Sequence, residues 1–168
     1  FGLHLADGFR HAQGDSAWGG PASGYVAASA EDMASYLRMY LNDGATDGGA
    51  RVLSPDSVRS MFLDRGPDPA GATHYGMGWT SFYWDELVLS HDGQVENYVA
   101  SMCLLPERGI GVAVLGDAND NAGGNDRFFD LAGGVVSVAV GGAPGPVDVA
   151  WAALWRQRTD VLYACALL

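Results

Sequence analysis

From Ser29 onward the apolar residues recur with a helical period: Met33, Tyr36, Leu37, Tyr40 and Leu41 fall at i, i+3, i+4, i+7 and i+8. The spacing predicts a helix that starts after Ser29, with Asp32 three residues on giving a capping-box-like entry, and stops at Asn42-Asp43-Gly44. A second helix is predicted from Ser54, with Pro55 in its first position and Val58, Met61 and Phe62 facing inward, ending near Asp64 before Gly66-Pro67. The period then becomes two, and Tyr75 to Trp84, Glu86 to Ser90, Val95 to Leu105 and Ile110 to Leu115 read as strands, the last two joined by a tight turn at Pro106-Glu107-Arg108-Gly109. A third helix is predicted over about Asp126 to Val140, with Phe128, Phe129, Ala132, Val135, Val136 and Ala139 on one side. Phe1 to Gly24 shows no sustained period and reads as loop.

In the last two strands both alternating sets are apolar or small, Tyr98, Ala100, Met102 and Leu104 against Val99, Cys103 and Leu105. Strands of that kind are covered on both faces, so the expected class is α/β (α+β), an antiparallel sheet with helices on each side. Residues 1–140 are expected to form one domain portion and residues 141–150 a Gly/Pro linker. Residues 151–168 form an apolar segment entered through Trp151, Trp155, Arg156 and Arg158, an arrangement resembling a membrane interface. The run from Val161 to Leu168 is far shorter than the roughly 20 residues of a span. It either begins a membrane anchor completed beyond Leu168 or closes an ordinary terminal helix. No internal repeat is evident.

With 168 residues, 48% of them hydrophobic, the chain can build one real core or most of a larger one. It opens on Phe1 and ends inside an apolar run, as expected of a piece of a longer protein, so the lack of a leader carries no information about secretion. The formal charge is -11, and all nine basic residues are Arg. That balance argues against a nucleic-acid partner. Without any Lys, no catalytic lysine comes from this chain. Cys103 and Cys165 read as buried free thiols, not as a disulfide or metal framework.

Several motif-like spacings fail. Asp117, Asn119 and Asn121 imitate a calcium loop, but Ala122 stands where Gly is needed and Phe128 where the bidentate Glu belongs. Gly109-Ile110-Gly111 opens a strand, the wrong context for a dinucleotide fingerprint. Gly14-Asp15-Ser16-Ala17-Trp18 lacks the second Gly of a nucleophile elbow. His4 and His11 read as loop histidines, and the four scattered His make no zinc site. No metal or cofactor is expected.

One constellation survives. Ser90-His91-Asp92-Gly93 lies at a strand entrance, ahead of Gln94, the apolar strand, and Leu105-Pro106-Glu107-Arg108-Gly109-Ile110-Gly111-Val112. Upstream stand Pro21-Ala22-Ser23-Gly24-Tyr25-Val26, the helix start Ser29-Ala30-Glu31-Asp32-Met33, and Tyr75-Gly76-Met77-Gly78-Trp79. This ordered set, from Pro21 to Asn119, resembles the C-terminal portion of the penicillin-recognising serine hydrolases: class C β-lactamases, D-alanyl-D-alanine carboxypeptidases and their esterase relatives. The likeness implies a β-lactamase/transpeptidase-like fold in which His91-Asp92-Gly93 corresponds to the family's third conserved box, on the strand lining the active site. It implies His91 as a catalytic residue, Asp92, Gly93 and Gln94 as substrate-binding residues, a small-molecule or peptide substrate, and an extracytoplasmic location.

The chemistry of the residues agrees with that resemblance. Gly93 lets a substrate backbone approach with no Cβ in the way. The amide N–H of Gln94 suits an oxyanion-hole donor, and His91 suits hydrogen bonding to a carboxylate or proton relay near neutral pH. Two departures matter: His91 replaces the Lys common in β-lactamases, and the family's Ser-x-x-Lys and Tyr-x-Asn/Ser boxes are missing from this chain. This segment by itself is therefore expected to be inactive, with the nucleophile upstream in the full protein. The competing expectations are an inactive relative that binds a peptide or cell-wall ligand, and a membrane-tethered interaction domain.

Overall fold

A computed structural model describes residues 24, 26–63, 73–95, 97–119 and 125–145. Residues 1–23, expected as loop, residues 146–150 of the expected linker, and residues 151–168, with Cys165 and the expected anchor segment, lie outside the described residues. Among the described residues no helix is long and apolar enough to cross a membrane.

Two helices precede the sheet: α1, Ala30–Leu41, and α2, Pro55–Phe62. Ser29 caps α1, its hydroxyl oxygen accepting from the Asp32 amide at 3.1 Å while the Asp32 carboxylate accepts from the Ser29 amide at 3.0 Å. Those bonds, the backbone one first, hold the Asp32 carboxyl below the usual carboxylate range. A carboxyl lowered in the folded state contributes stability above its unfolded pKa and loses it as pH falls through the folded value. Ser29→Ala removes the side-chain cap of α1 and should cost about 1 kcal/mol for that loss. The gap between wild type and variant, read from urea midpoints, should narrow on acidification through the carboxylate range. The second helix has the same logic, with Ser54 capping the Ser57 amide and Pro55 at the first position. It ends at Phe62, short of the expected Asp64, because Leu63 is already extended.

The sheet holds five antiparallel strands in sequence order: β1, His74–Gly76; β2, Trp79–Trp84; β3, Glu86–Val95; β4, Tyr98–Leu105; and β5, Ile110–Gly116. The strand boundaries differ from the expected ones at two places. The predicted strand from Tyr75 to Trp84 is a hairpin, broken where Met77 and Gly78 both take positive φ, 54° and 84°. Two central residues of that hand make the tight turn whose twist suits paired strands, so a continuous alternation conceals a reversal. The predicted break between Ser90 and Val95 does not exist either: His91, Asp92, Gly93 and Gln94 are the second half of β3, paired with Met102, Ser101, Ala100 and Val99. The reversal comes after Val95, and the following strand begins at Tyr98.

The Pro106–Arg108 turn is a short 3-10 helix closed by Gly109 at φ 66°. The last helix, α3, runs Asp126–Ala139. Its expected apolar side is only partly covered: Ala132 is buried and Val136 packs on the sheet, whereas Val135 and Ala139 are exposed.

Helices cover both faces, as the alternation required. On one side Leu37, Tyr40 and Val58 from α1 and α2 pack with Trp79, Leu89 and Leu104. On the other, Val136 of α3 and Val140 just after it pack on Val88, Cys103 and Leu105. Gly111 allows the first contact, since a Cβ there would stand 3.0 Å from the Leu37 Cβ. Burial, and then the charge of Asp92, push the Cys103 thiol up to about 11, so it stays protonated and behaves as a small core residue.

Candidate active site

The second half of β3 is an inner strand that has lost one neighbour. Its ladder with β2 ends at Thr80↔Ser90, while its ladder with β4 continues to Val95↔Tyr98. Among the described residues nothing pairs with the outer side of residues 91–95.

Ladder geometry decides which way the amides there point. The two-residue turn at Met77-Gly78 makes Gly76 and Trp79 a pair that exchanges hydrogen bonds. Alternation then directs the polar backbone groups of Thr80 toward β3, so Thr80 and Ser90 are again a bonded pair. Asp92 and Gln94 share the parity of Ser90, so their N–H and C=O groups point the same way. There β2 has already ended, so among the described residues the Gln94 N–H is a donor on an edge with no neighbouring strand.

Each predicted residue takes a distinct place on that edge. Gly93 is exposed, and an added Cβ would meet nothing within 4 Å, so internal packing does not require its missing side chain. Asp92 is exposed and lies across from Ser101, on the α3 side. His91, half-buried, alternates to the opposite face, and its Nε2 lies 3.3 Å from the Tyr75 hydroxyl. The four residues are thus contiguous on one open margin, at the end of a strand and not, as the sequence suggested, at the entrance of one.

The side chain of Gln94 turns away from that margin into a polar junction the sequence reading missed. Its Oε1 accepts from Asn125 Nδ2 at 2.9 Å, and the same Nδ2 donates to Asn119 Oδ1 at 2.6 Å. Asn119 Nδ2 in turn donates to the Val95 carbonyl. Both asparagines are only 7% exposed, so their amides are committed to these bonds. Asn125 also has φ 58° ahead of α3, a conformation Asn tolerates better than most residues. The junction links the end of β3, the segment after β5 and the start of α3. Asn125→Gly keeps the backbone shape and removes the bonds, and should cost about 1–3 kcal/mol. Asn125→Ala should cost about 1 kcal/mol more for the left-handed backbone. Chemical denaturation of the pair checks that order.

Among the described residues no group of three or more His, Cys, Asp or Glu is placed to hold a metal ion. The chemistry this margin offers is hydrogen bonding: an outward amide, an uncovered glycine and an imidazole.

A family model described as Beta-lactamase matches residues 3–133. The chain is 30% identical over 143 residues to Penicillin-binding protein 4 of Amycolatopsis lactamdurans, across 76% of this chain and 36% of that protein. It is 50% identical over 44 residues to protein Rv1367c of Mycobacterium tuberculosis, across 26% of this chain and 11% of that one. Among solved structures it resembles the octameric penicillin-binding protein homologue from Pyrococcus abyssi, with 25% identity and a TM-score of 0.57 over 70% of this chain and 25% of the other. The chain spans about a third or less of the length of each of these relatives.

Proposed function

We propose, from the premise that this chain belongs to the beta-lactamase family, that it forms the oxyanion wall of a serine hydrolase whose nucleophile is supplied by residues outside it. In this reading an outside serine attacks an amide, ester or β-lactam carbonyl, and the Gln94 amide receives the developing oxyanion. Gly93 admits the substrate backbone, with Asp92 on the rim, and His91 hydrogen-bonds the substrate or relays a proton. The observation that supports it is the open margin of β3, where pairing with β2 stops at Ser90, one residue before His91, and among the described residues the Gln94 N–H points outward with no partner strand beside it. A preorganised amide of that kind is worth roughly 3 kcal/mol of barrier.

His91 in the place of the family's common Lys favours a carboxypeptidase, aminopeptidase or esterase over a β-lactamase. A small-molecule substrate fits the name of the Amycolatopsis relative, a penicillin-binding protein; a peptide substrate and an encounter outside the cytoplasm belong to the same proposal. Because the chain contains no Lys, a Ser-x-x-Lys box has to come from elsewhere.

The test is covalent labelling of the full-length protein with a fluorescent penicillin and with an activated ester. Attachment to a serine outside residues 1–168 is the expected result. Absence of labelling with both probes overturns the enzymatic reading. Saturable binding of a peptide or cell-wall fragment without turnover would then identify an inactive, ligand-binding relative.

A further inference from the structure

We propose that Tyr75 belongs to the same site as a positioning residue, fixing which imidazole nitrogen of His91 carries the proton. The inference rests on the reading of His91 given above.

Its basis is a contact built by the β1–β2 hairpin. Through the register Tyr75↔Thr80↔Ser90, Tyr75 stands level with the last paired residue of β3. One residue further along, β2 reaches its end at Trp79, beside the Met77-Gly78 turn, and at this end of the sheet the tyrosine side chain meets His91 past the last paired residue of β2. The hydroxyl lies 3.3 Å from Nε2, and the rings are 6.1 Å apart and tilted by 48°. Tyr75 is 54% exposed, so core burial does not account for its placement. The turn that puts it there spends a positive φ on a methionine, a conformation uncommon outside glycine.

The chemistry follows from the imidazole's two states. In the neutral ring one nitrogen donates and the other accepts, and the partner of one decides the role of the other. A tyrosine hydroxyl donating to Nε2 places the ring hydrogen on Nδ1, the tautomer that a free histidine side chain populates less. When the ring is protonated both nitrogens donate, and the hydroxyl oxygen accepts from Nε2 instead. The same partner thus serves both states without moving the ring, and it presents Nδ1–H as the donor toward a carbonyl or carboxylate acceptor.

The experiment uses the full-length protein with 15N-labelled histidine, observed near pH 8.5, where an ordinary imidazole is neutral. His91→Gln identifies the His91 signals by their loss. In the wild type His91 should show a protonated Nδ1 and an unprotonated Nε2. In Tyr75→Phe, which removes one oxygen and keeps the ring, the majority should revert to the Nε2–H form while the backbone amide spectrum stays in place. Turnover of an activated ester by Tyr75→Phe should fall about tenfold in kcat, with KM changed by less than about twofold. An Nε2–H tautomer in the wild type, or a tautomer unaffected by Tyr75→Phe, overturns the proposal. If the tautomer changes as expected but neither protein reacts with the ester, the hydrolase reading fails and the Tyr75–His91 coupling stands.

Discussion

Gln94→Pro in the full-length protein is expected to slow acylation by an activated ester about 10²–10³-fold, the effect of removing one oxyanion donor, while leaving the fold in place. Proline deletes the backbone N–H. In the interior of a sheet that would break the ladder, which is why proline is confined to edges and ends. At Gln94 the N–H points away from β4, to the side where β2 has ended at Thr80↔Ser90, so no ladder bond is lost. Gln94→Ala is the control. It keeps the amide and removes only the side-chain bond to Asn125, so its acylation rate should stay within about tenfold of wild type. Thermal melts of both variants separate loss of chemistry from loss of fold, and equal rates for the two would contradict the assignment of the amide.

Trp79→Ala should produce the largest loss of stability, about 3–5 kcal/mol by urea unfolding. Trp79 is 2% exposed and joins the two helices to the sheet: it meets Tyr40 of α1 edge-on at 5.3 Å and Phe62 of α2 at 6.2 Å. Removing the indole leaves a cavity bounded by three separate elements, which cannot all close inward together. The loss is a large part of the 5–15 kcal/mol that holds an ordinary domain. Trp79 is also the first residue of β2, next to the turn that ends this strand beside His91. The variant should therefore loosen the open margin as well as the core. Trp79→Phe, which keeps a ring, should recover about half of the loss.

The helices were legible because their signals are local. Ser29, Ser54 and Pro55 set the starts of α1 and α2 within the sequence itself, and the structure places both where the caps predict. The double cover of the sheet was legible from β4 and β5, where neither alternating set is polar. The strand boundaries were less so. Met77 gives no turn signal of its own, and its positive φ is imposed by the pairing of β1 with β2. Asp92-Gly93 looks like a turn, but seven register pairs with β4, from Leu89 to Val95, hold the segment extended. Local propensity yields there to tertiary pairing.

The site divides in the same way. His91 to Gln94 could be found as a run because the residues are contiguous. Tyr75, Asn119 and Asn125 could not be tied to them by spacing, since they arrive from 16, 24 and 31 residues away. Only the folded hairpin and the start of α3 bring them to β3. The Tyr-Gly pair before a hairpin and the paired asparagines flanking a Gly-rich stretch were the available hints, and neither specifies a partner.

The most direct measurement is the structure of the full-length protein carrying a boronic-acid analogue of the tetrahedral intermediate on its nucleophilic serine. The oxygen that mimics the oxyanion should lie about 2.7–3.1 Å from the Gln94 amide nitrogen, with the inhibitor running along Gly93 on the open side of β3. An adduct whose oxygen is out of reach of that amide, or another strand of the protein occupying the margin from His91 to Val95, would contradict the account.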